Sequence, residues 1–143
     1  TYIDSIDSRQ AIRYSVPIGT KRPLHVSAAG KVLFAFQDAD WCKKYLKTAK
    51  FKPLTSKPLP ERAAFEAELN EIRASGIAVS IGEAVAGAAG IAAPVVKADG
   101  SATYAFMIAA PIDRLVESMP ALRELLLEVA ADASETLRHM PGG

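Results

Sequence analysis

The sequence has little of what builds covalent or metal frameworks. Of 143 residues one is cysteine, Cys42, and two are histidine, His25 and His139. One cysteine excludes an internal disulfide and any cysteine-based zinc site, and it suits a reducing cytoplasm. With so few imidazoles and thiols, neither a metal nor any other cofactor is expected. Charge of one sign is missing too: the net charge is +1, so no global field draws the chain to nucleic acid or membrane. Tyr2 to Arg9 carries acids and hydroxyls where a signal peptide needs an apolar core. The longest weakly polar stretch, Ile77 to Val96, contains Glu83 and Pro94 among Ala and Gly. A central carboxylate costs about 2.5–3.5 kcal/mol on insertion scales, which Ala and Gly do not offset, so this is no membrane span. There are no repeats, no Walker sequence and no GxGxxG.

What is present describes one globular domain. Half of the residues are apolar, and a chain of this length buries a core without staples. The charge is polarised along it. Residues 1–57 hold eleven Lys/Arg against four Asp/Glu, and residues 58–143 hold six against twelve. The densest basic stretch runs from Lys43 to Lys57, either a solvated face or a contact for an acidic partner.

Residues 2–8 and 11–17 alternate as strands do. Ser27 is placed to cap a short helix through Phe36, and Asp38 or Asp40 to cap a second through Leu46. Lys50 to Pro60, with three prolines, reads as a loop. Glu61 to Ser75 reads as an amphipathic helix stopped by Gly76. Strands are expected at 77–83, 91–97 and 102–110, the last two joined by a tight turn at Asp99-Gly100. A final helix over 119–140 carries a stripe of Met119, Leu122, Leu126, Val129, Ala133 and Leu137, ended by Pro141-Gly142-Gly143. Helices gathered between hairpins imply an α+β fold, an antiparallel sheet flanked by helices. The first strand begins almost at residue 1, so the chain reads as one module of something longer.

No arrangement of catalytic residues stands out, and no catalytic residue is assigned. His25 and Ser27 are two apart in a presumed loop, where a cap and an ordinary histidine account for both. Cys42, beside Trp41, reads as a packing residue. Glu83 is either a general base or a structural carboxylate. Ser27-Ala28-Ala29-Gly30-Lys31 opens a helix whose first amides are unpaired and whose dipole is positive there. That geometry suits an anion, though a close packing contact also explains small residues at a helix start.

Taken in order, Gly19, Pro23-Leu24-His25-Val26-Ser27-Ala28-Ala29-Gly30-Lys31, Phe51, Thr55, Gly76-x3-Ser80-x2-Glu83, Gly87, Ile91-Ala92-Ala93-Pro94-Val95, Asp99-Gly100, Pro111 and Arg114 resemble the C-terminal effector-binding domain of IclR-family transcription regulators. The resemblance spans Tyr2 to Met140 and implies a GAF-like fold over residues 1–143. It further implies a cytoplasmic homodimer or homotetramer that senses a small organic acid. DNA would be bound only through an N-terminal winged helix-turn-helix outside this chain. By the same resemblance the ligand carboxylate is held by the amides of Ala28 and Ala29, and Ser80, Gly90, Met107 and Ala109 line the pocket. Ala11 and Tyr14 are further lining candidates.

Gly90 stands where many members have cysteine, and Met107 and Ala109 where two serines are common. These departures favour a larger, more apolar effector such as an aromatic carboxylate, with Tyr14 or Ser80 free for a ring substituent. The alternative is a degenerate pocket in a domain that serves oligomerisation only. Residues 2–8, next to the missing DNA-binding side, are expected to carry the signal.

Overall fold

A computed structural model describes residues 1–142. Its elements run α1 (Ala28–Ala35), α2 (Ala39–Thr48), α3 (Arg62–Ser75), β1 (Ala78–Ile81), β2 (Ala88–Val96), β3 (Ala102–Pro111) and α4 (Ile112–His139). The fold is α+β. The three strands form an antiparallel meander in the order β1-β2-β3.

Local chemistry sets the helix ends. The Ser27 hydroxyl accepts from the Gly30 amide at 2.9 Å, closing the start of α1. Asp38 caps α2 by accepting from the Asp40 and Trp41 amides, each at 3.0 Å. Gly76 ends α3 at φ 72°, in the left-handed region that favours glycine. The β2–β3 turn closes with Gly100 at φ 82°, its amide donating to the Lys97 carbonyl.

The period of two along the strands separates two cores. Ala78, Ala92, Ala105 and Met107 face α1 and α3, where Phe34 lies fully buried among Trp41, Tyr45 and Phe65. Ile77, Ala89, Ile91, Ala93, Ile108 and Ala110 face α4. β2 is covered on both sides, so it reads as a continuous apolar run without alternation.

Three expectations need correction. Residues 2–8 and 11–17 are not strands of the sheet. The segment is instead closed on itself by the Tyr2 amide donating to the Thr20 carbonyl and the Gly19 amide donating to the Tyr2 carbonyl. Its Ile3, Ile6, Ile12 and Ile18 stay exposed, and a strand-like pattern does not supply a partner to cover them. α4 begins at Ile112, seven residues before the expected start at Met119, and runs through Pro120. Its buried stripe is therefore Leu115, Leu126, Ala130 and Ser134, flanked by Met119 and Leu122, while Val129 is exposed. Strand β2 also starts three residues before Ile91, because Ala88 to Gly90 already pair with β1 or β3. Gly143, part of the expected helix terminator, lies outside the described residues.

Cys42 is a packing residue. It is buried in the α1/α3 core, its Sγ lies 3.3 Å from the Phe34 carbonyl, and burial pushes its pKa up. A raised pKa keeps the thiol protonated and poor as a nucleophile. At pH 8 its reaction with an aromatic disulfide should be about 100-fold slower in the native domain than in urea, as reaction through local opening requires. Equal rates would place Cys42 at the surface.

Candidate functional site

The start of α1 meets the middle of the sheet. Gly90 pairs with Ser80 on one side and Ala109 on the other. A Cβ on Gly90 would lie 3.5 Å from Met107 Sδ and 3.6 Å from Ala28 Cβ. These are ordinary contact distances, so glycine keeps the most space between the helix start and the sheet and a larger side chain fills it.

A cavity occupies that space. Of the expected residues, Tyr14, Ala28, Ser80, Gly90, Met107 and Ala109 line it. Tyr2, Ser27, Ala84, Val85, Ala88 and Ala89 complete the wall. Two expected residues do not line it. Ala29 turns its side chain into the α1/α3 core, and Ala11 sits exposed on the N-terminal segment because that segment pairs with no strand. Tyr2, Ala84 and Val85 escaped the sequence reading. Between Gly82 (φ 66°) and Gly87 (φ 78°) the chain leaves β1 and places Ala84 and Val85 on the cavity wall.

The cavity volume is about 20 Å³, room for roughly one water molecule. A second cleft of about 230 Å³ lies on the α4 face, bordered by Arg13, Tyr14, Ile108, Arg114 and Leu122. It holds more space and borders the first turn of α4 at Arg114 and Leu115.

The polar groups of the first cavity divide sharply. Ser27 Oγ is taken by the Gly30 amide, and Lys31 N–H is bonded to the Ser27 carbonyl. Among the described residues no protein group accepts from the amides of Ala28 and Ala29. These are the orphan donors at the positive end of α1. Ser80 donates its hydroxyl to the Val26 carbonyl at 2.7 Å, which fixes the 24–27 bend against β1. Its proton is therefore committed, contrary to the expectation that Ser80 is free for a ring substituent.

Gly30 allows the same bend to close. A Cβ there would lie 2.6 Å from the Leu24 carbonyl oxygen, so any side chain forces the backbone apart. His25 Nε2 donates to the Lys52 carbonyl at 2.9 Å and the ring packs on Phe51, which is a structural role.

Lys31 explains Glu83. The lysine is 2% exposed, and its Nζ lies 2.6 Å from Glu68, 2.8 Å from Glu83 and 3.1 Å from the Val79 carbonyl. Lys57 reaches Glu83 at 3.6 Å and donates to the Ile81 carbonyl. Glu83 thus ties the loop over the cavity to α1 and is not a free base. The Thr55 hydroxyl donates to the Gly82 carbonyl at 2.7 Å and pins the same loop from the other side.

Tyr2 and Tyr14 are the tyrosines of the wall. Tyr2 OH has Met107 Sδ at 3.9 Å, a weak acceptor, and burial raises its pKa, with Tyr14 adding to the shift. Tyr14 OH accepts from Arg22 Nη2 at 3.0 Å. Among the described residues no three or more His, Cys, Asp or Glu are grouped to hold a metal ion, and no helix is long and apolar enough to cross a membrane.

The family model for the bacterial transcriptional regulator IclR C-terminal domain matches residues 1–135. The glycerol operon regulatory protein of Streptomyces griseus is 32% identical over 96% of this chain and 52% of its own length. The regulator BhcR of Paracoccus denitrificans is 28% identical over 93% of this chain and 48% of its length, so the chain spans about half of these relatives. Among solved structures, the inducer-binding domain of PobR from Acinetobacter, a double mutant complexed with 3-hydroxybenzoic acid, superposes with a TM-score of 0.76. It shares 25% identity over 90% of this chain and 74% of its own. These relatives are transcriptional regulators and not enzymes. The matched span and the shared architecture give one answer: the chain belongs to the IclR family of bacterial transcriptional regulators, as a C-terminal regulatory domain.

Proposed function

We propose that this domain senses a small, largely apolar carboxylic acid, whose carboxylate is held by the main-chain amides of Ala28 and Ala29. One observation carries the reading: two adjacent helix-opening amides lack a protein acceptor beside a cavity walled mainly by Ala, Gly, Val and Met, with Tyr2, Tyr14, Ser27 and Ser80. Unsatisfied donors at a positive helix end are complementary to an anion. The wall offers few hydrogen-bonding groups to a short polar acid, and Met107 is a pliable apolar surface. The solved relative with 3-hydroxybenzoic acid is consistent with an aromatic acid as ligand.

A body larger than one water needs the cavity to widen. Besides the Ser27 cap, Tyr2, Tyr14 and the loop from Gly82 to Gly87 are the parts of the wall that do not belong to the sheet or α1. An effector that displaces Tyr2 acts on the N-terminal segment, the side on which a winged helix-turn-helix would precede this domain. Ligand then favours one arrangement of a homodimer or homotetramer by no more than its differential affinity for the two. The small volume favours a second reading, a degenerate pocket in an oligomerisation domain.

Thermal unfolding with benzoate, hydroxybenzoates, pyruvate and glyoxylate separates these. An acid at 100 times its Kd adds about 2.7 kcal/mol, roughly 5–10 °C in Tm. Stabilisation by the aromatic acids supports the proposal. Stabilisation by the 2-oxo acids alone overturns the apolar ligand class, and no shift with any acid favours the oligomerisation reading.

A further inference from the structure

We infer that the effector carries a second hydrogen-bonding group besides its carboxylate, and that Arg22, acting with Tyr2 and Tyr14, selects for it. The inference rests on the proposed carboxylate site and concerns other polar groups at the same cavity.

These groups are incompletely matched. Arg22 Nε is buried and has no hydrogen-bond partner, the one buried side-chain nitrogen or oxygen among the described residues in that state. Its Nη2 donates to Tyr14 OH at 3.0 Å, and Tyr14 lines the cavity. Tyr2 OH, also on the wall, has the Met107 thioether at 3.9 Å, and Ser27 and Arg22 lie close enough to act on its ionisation. No carboxylate pairs with Arg22 among the described residues. A buried guanidinium N–H without an acceptor is costly and calls for an occupant such as a water or a ligand oxygen.

Ser80 does not compete for this role, because its proton already goes to Val26. Gly90, Met107 and Ala109 supply apolar wall beside these groups. An acid with a second oxygen satisfies both sets of donors, its carboxylate accepting from Ala28 and Ala29 and its other oxygen from the arginine–phenol cluster. Discrimination of this kind is strong where a buried polar group is left unpaired by the wrong ligand.

The test is calorimetric titration with benzoate, 3-hydroxybenzoate, 4-hydroxybenzoate, isophthalate and terephthalate on the wild type, Arg22→Met and Arg22→Lys. At least one two-ended acid is expected to bind the wild type 10-fold or more tighter than benzoate. Arg22→Met should erase that preference while leaving the benzoate Kd within about threefold. Arg22→Lys, which keeps the charge and loses the fork, should retain part of it, and it serves as the reporter if Arg22→Met fails to fold. Binding of benzoate as tightly as every two-ended acid overturns the inference while the carboxylate site stands. So does an unchanged preference in both variants. If no acid in the panel binds, the carboxylate site fails and the inference with it.

Discussion

Lys31→Met should destabilise the domain by about 3 kcal/mol, the lower end of the range for removing one partner of a buried ion pair. The ammonium is almost wholly out of solvent and meets two carboxylates and a carbonyl. Methionine fills a similar volume but leaves Glu68 and Glu83 facing each other across the vacated position. Their side chains are 33% and 19% exposed, so water offsets part of the cost. Adding Glu68→Gln and Glu83→Gln to Lys31→Met should recover a large share of the loss, since the repelling charges go with their partner. Urea unfolding of the single and triple variants reads both numbers. A single variant within 0.5 kcal/mol of wild type would show that the ion cluster is energetically idle.

Gly90→Leu should abolish acid binding, a loss of at least about 100-fold, while costing about 1–3 kcal/mol of stability through overpacking. The geometry separates the two effects. A Cβ at Gly90 finds its nearest neighbours at 3.5–3.7 Å, ordinary contact distances, so Gly90→Ala fits the ligand-free domain. The further atoms of leucine enter a space of about 20 Å³ and fill it. Gly90→Ala should therefore keep stability within about 1 kcal/mol and weaken binding only in part. Calorimetry with 3-hydroxybenzoate, paired with thermal unfolding, checks both. Undiminished binding in Gly90→Leu would place the ligand elsewhere.

How much of this is written in the sequence differs by element. The α1 start is fully legible: Ser27 caps it, Gly30 permits the bend under Leu24, and the orphan amides fall on Ala28 and Ala29. These are local effects, set by residues within a few positions. The Asp99-Gly100 turn and the Gly76 stop are legible for the same reason.

The N-terminal alternation misleads because a strand needs a partner, and the pattern of Ile3 to Ile18 does not say whether one covers it. The register of α4 misleads differently. Leu115 lies one turn before the expected start, and Pro120 suggests a break that the helix does not make. Lys31 is the least legible feature. A lysine in the first turn of a helix reads as solvent-facing, and only the fold brings Glu68 and Glu83, thirty-seven and fifty-two positions later, to its ammonium. Tyr2 joins the site through a contact equally remote in sequence, to Met107 of β3, whereas Arg22 reaches it through Tyr14, eight positions before it.

The central claim is that two main-chain N–H groups receive the effector's carboxylate. Amide chemical shifts of the ¹⁵N-labelled domain during titration with 3-hydroxybenzoate test it most directly. The amide protons of Ala28 and Ala29 should move downfield by the largest amounts, with Gly30, already bonded to Ser27, moving little. Shifts that leave Ala28 and Ala29 in place and gather around Arg13 and Arg114, at the cleft on the α4 face, would contradict the account.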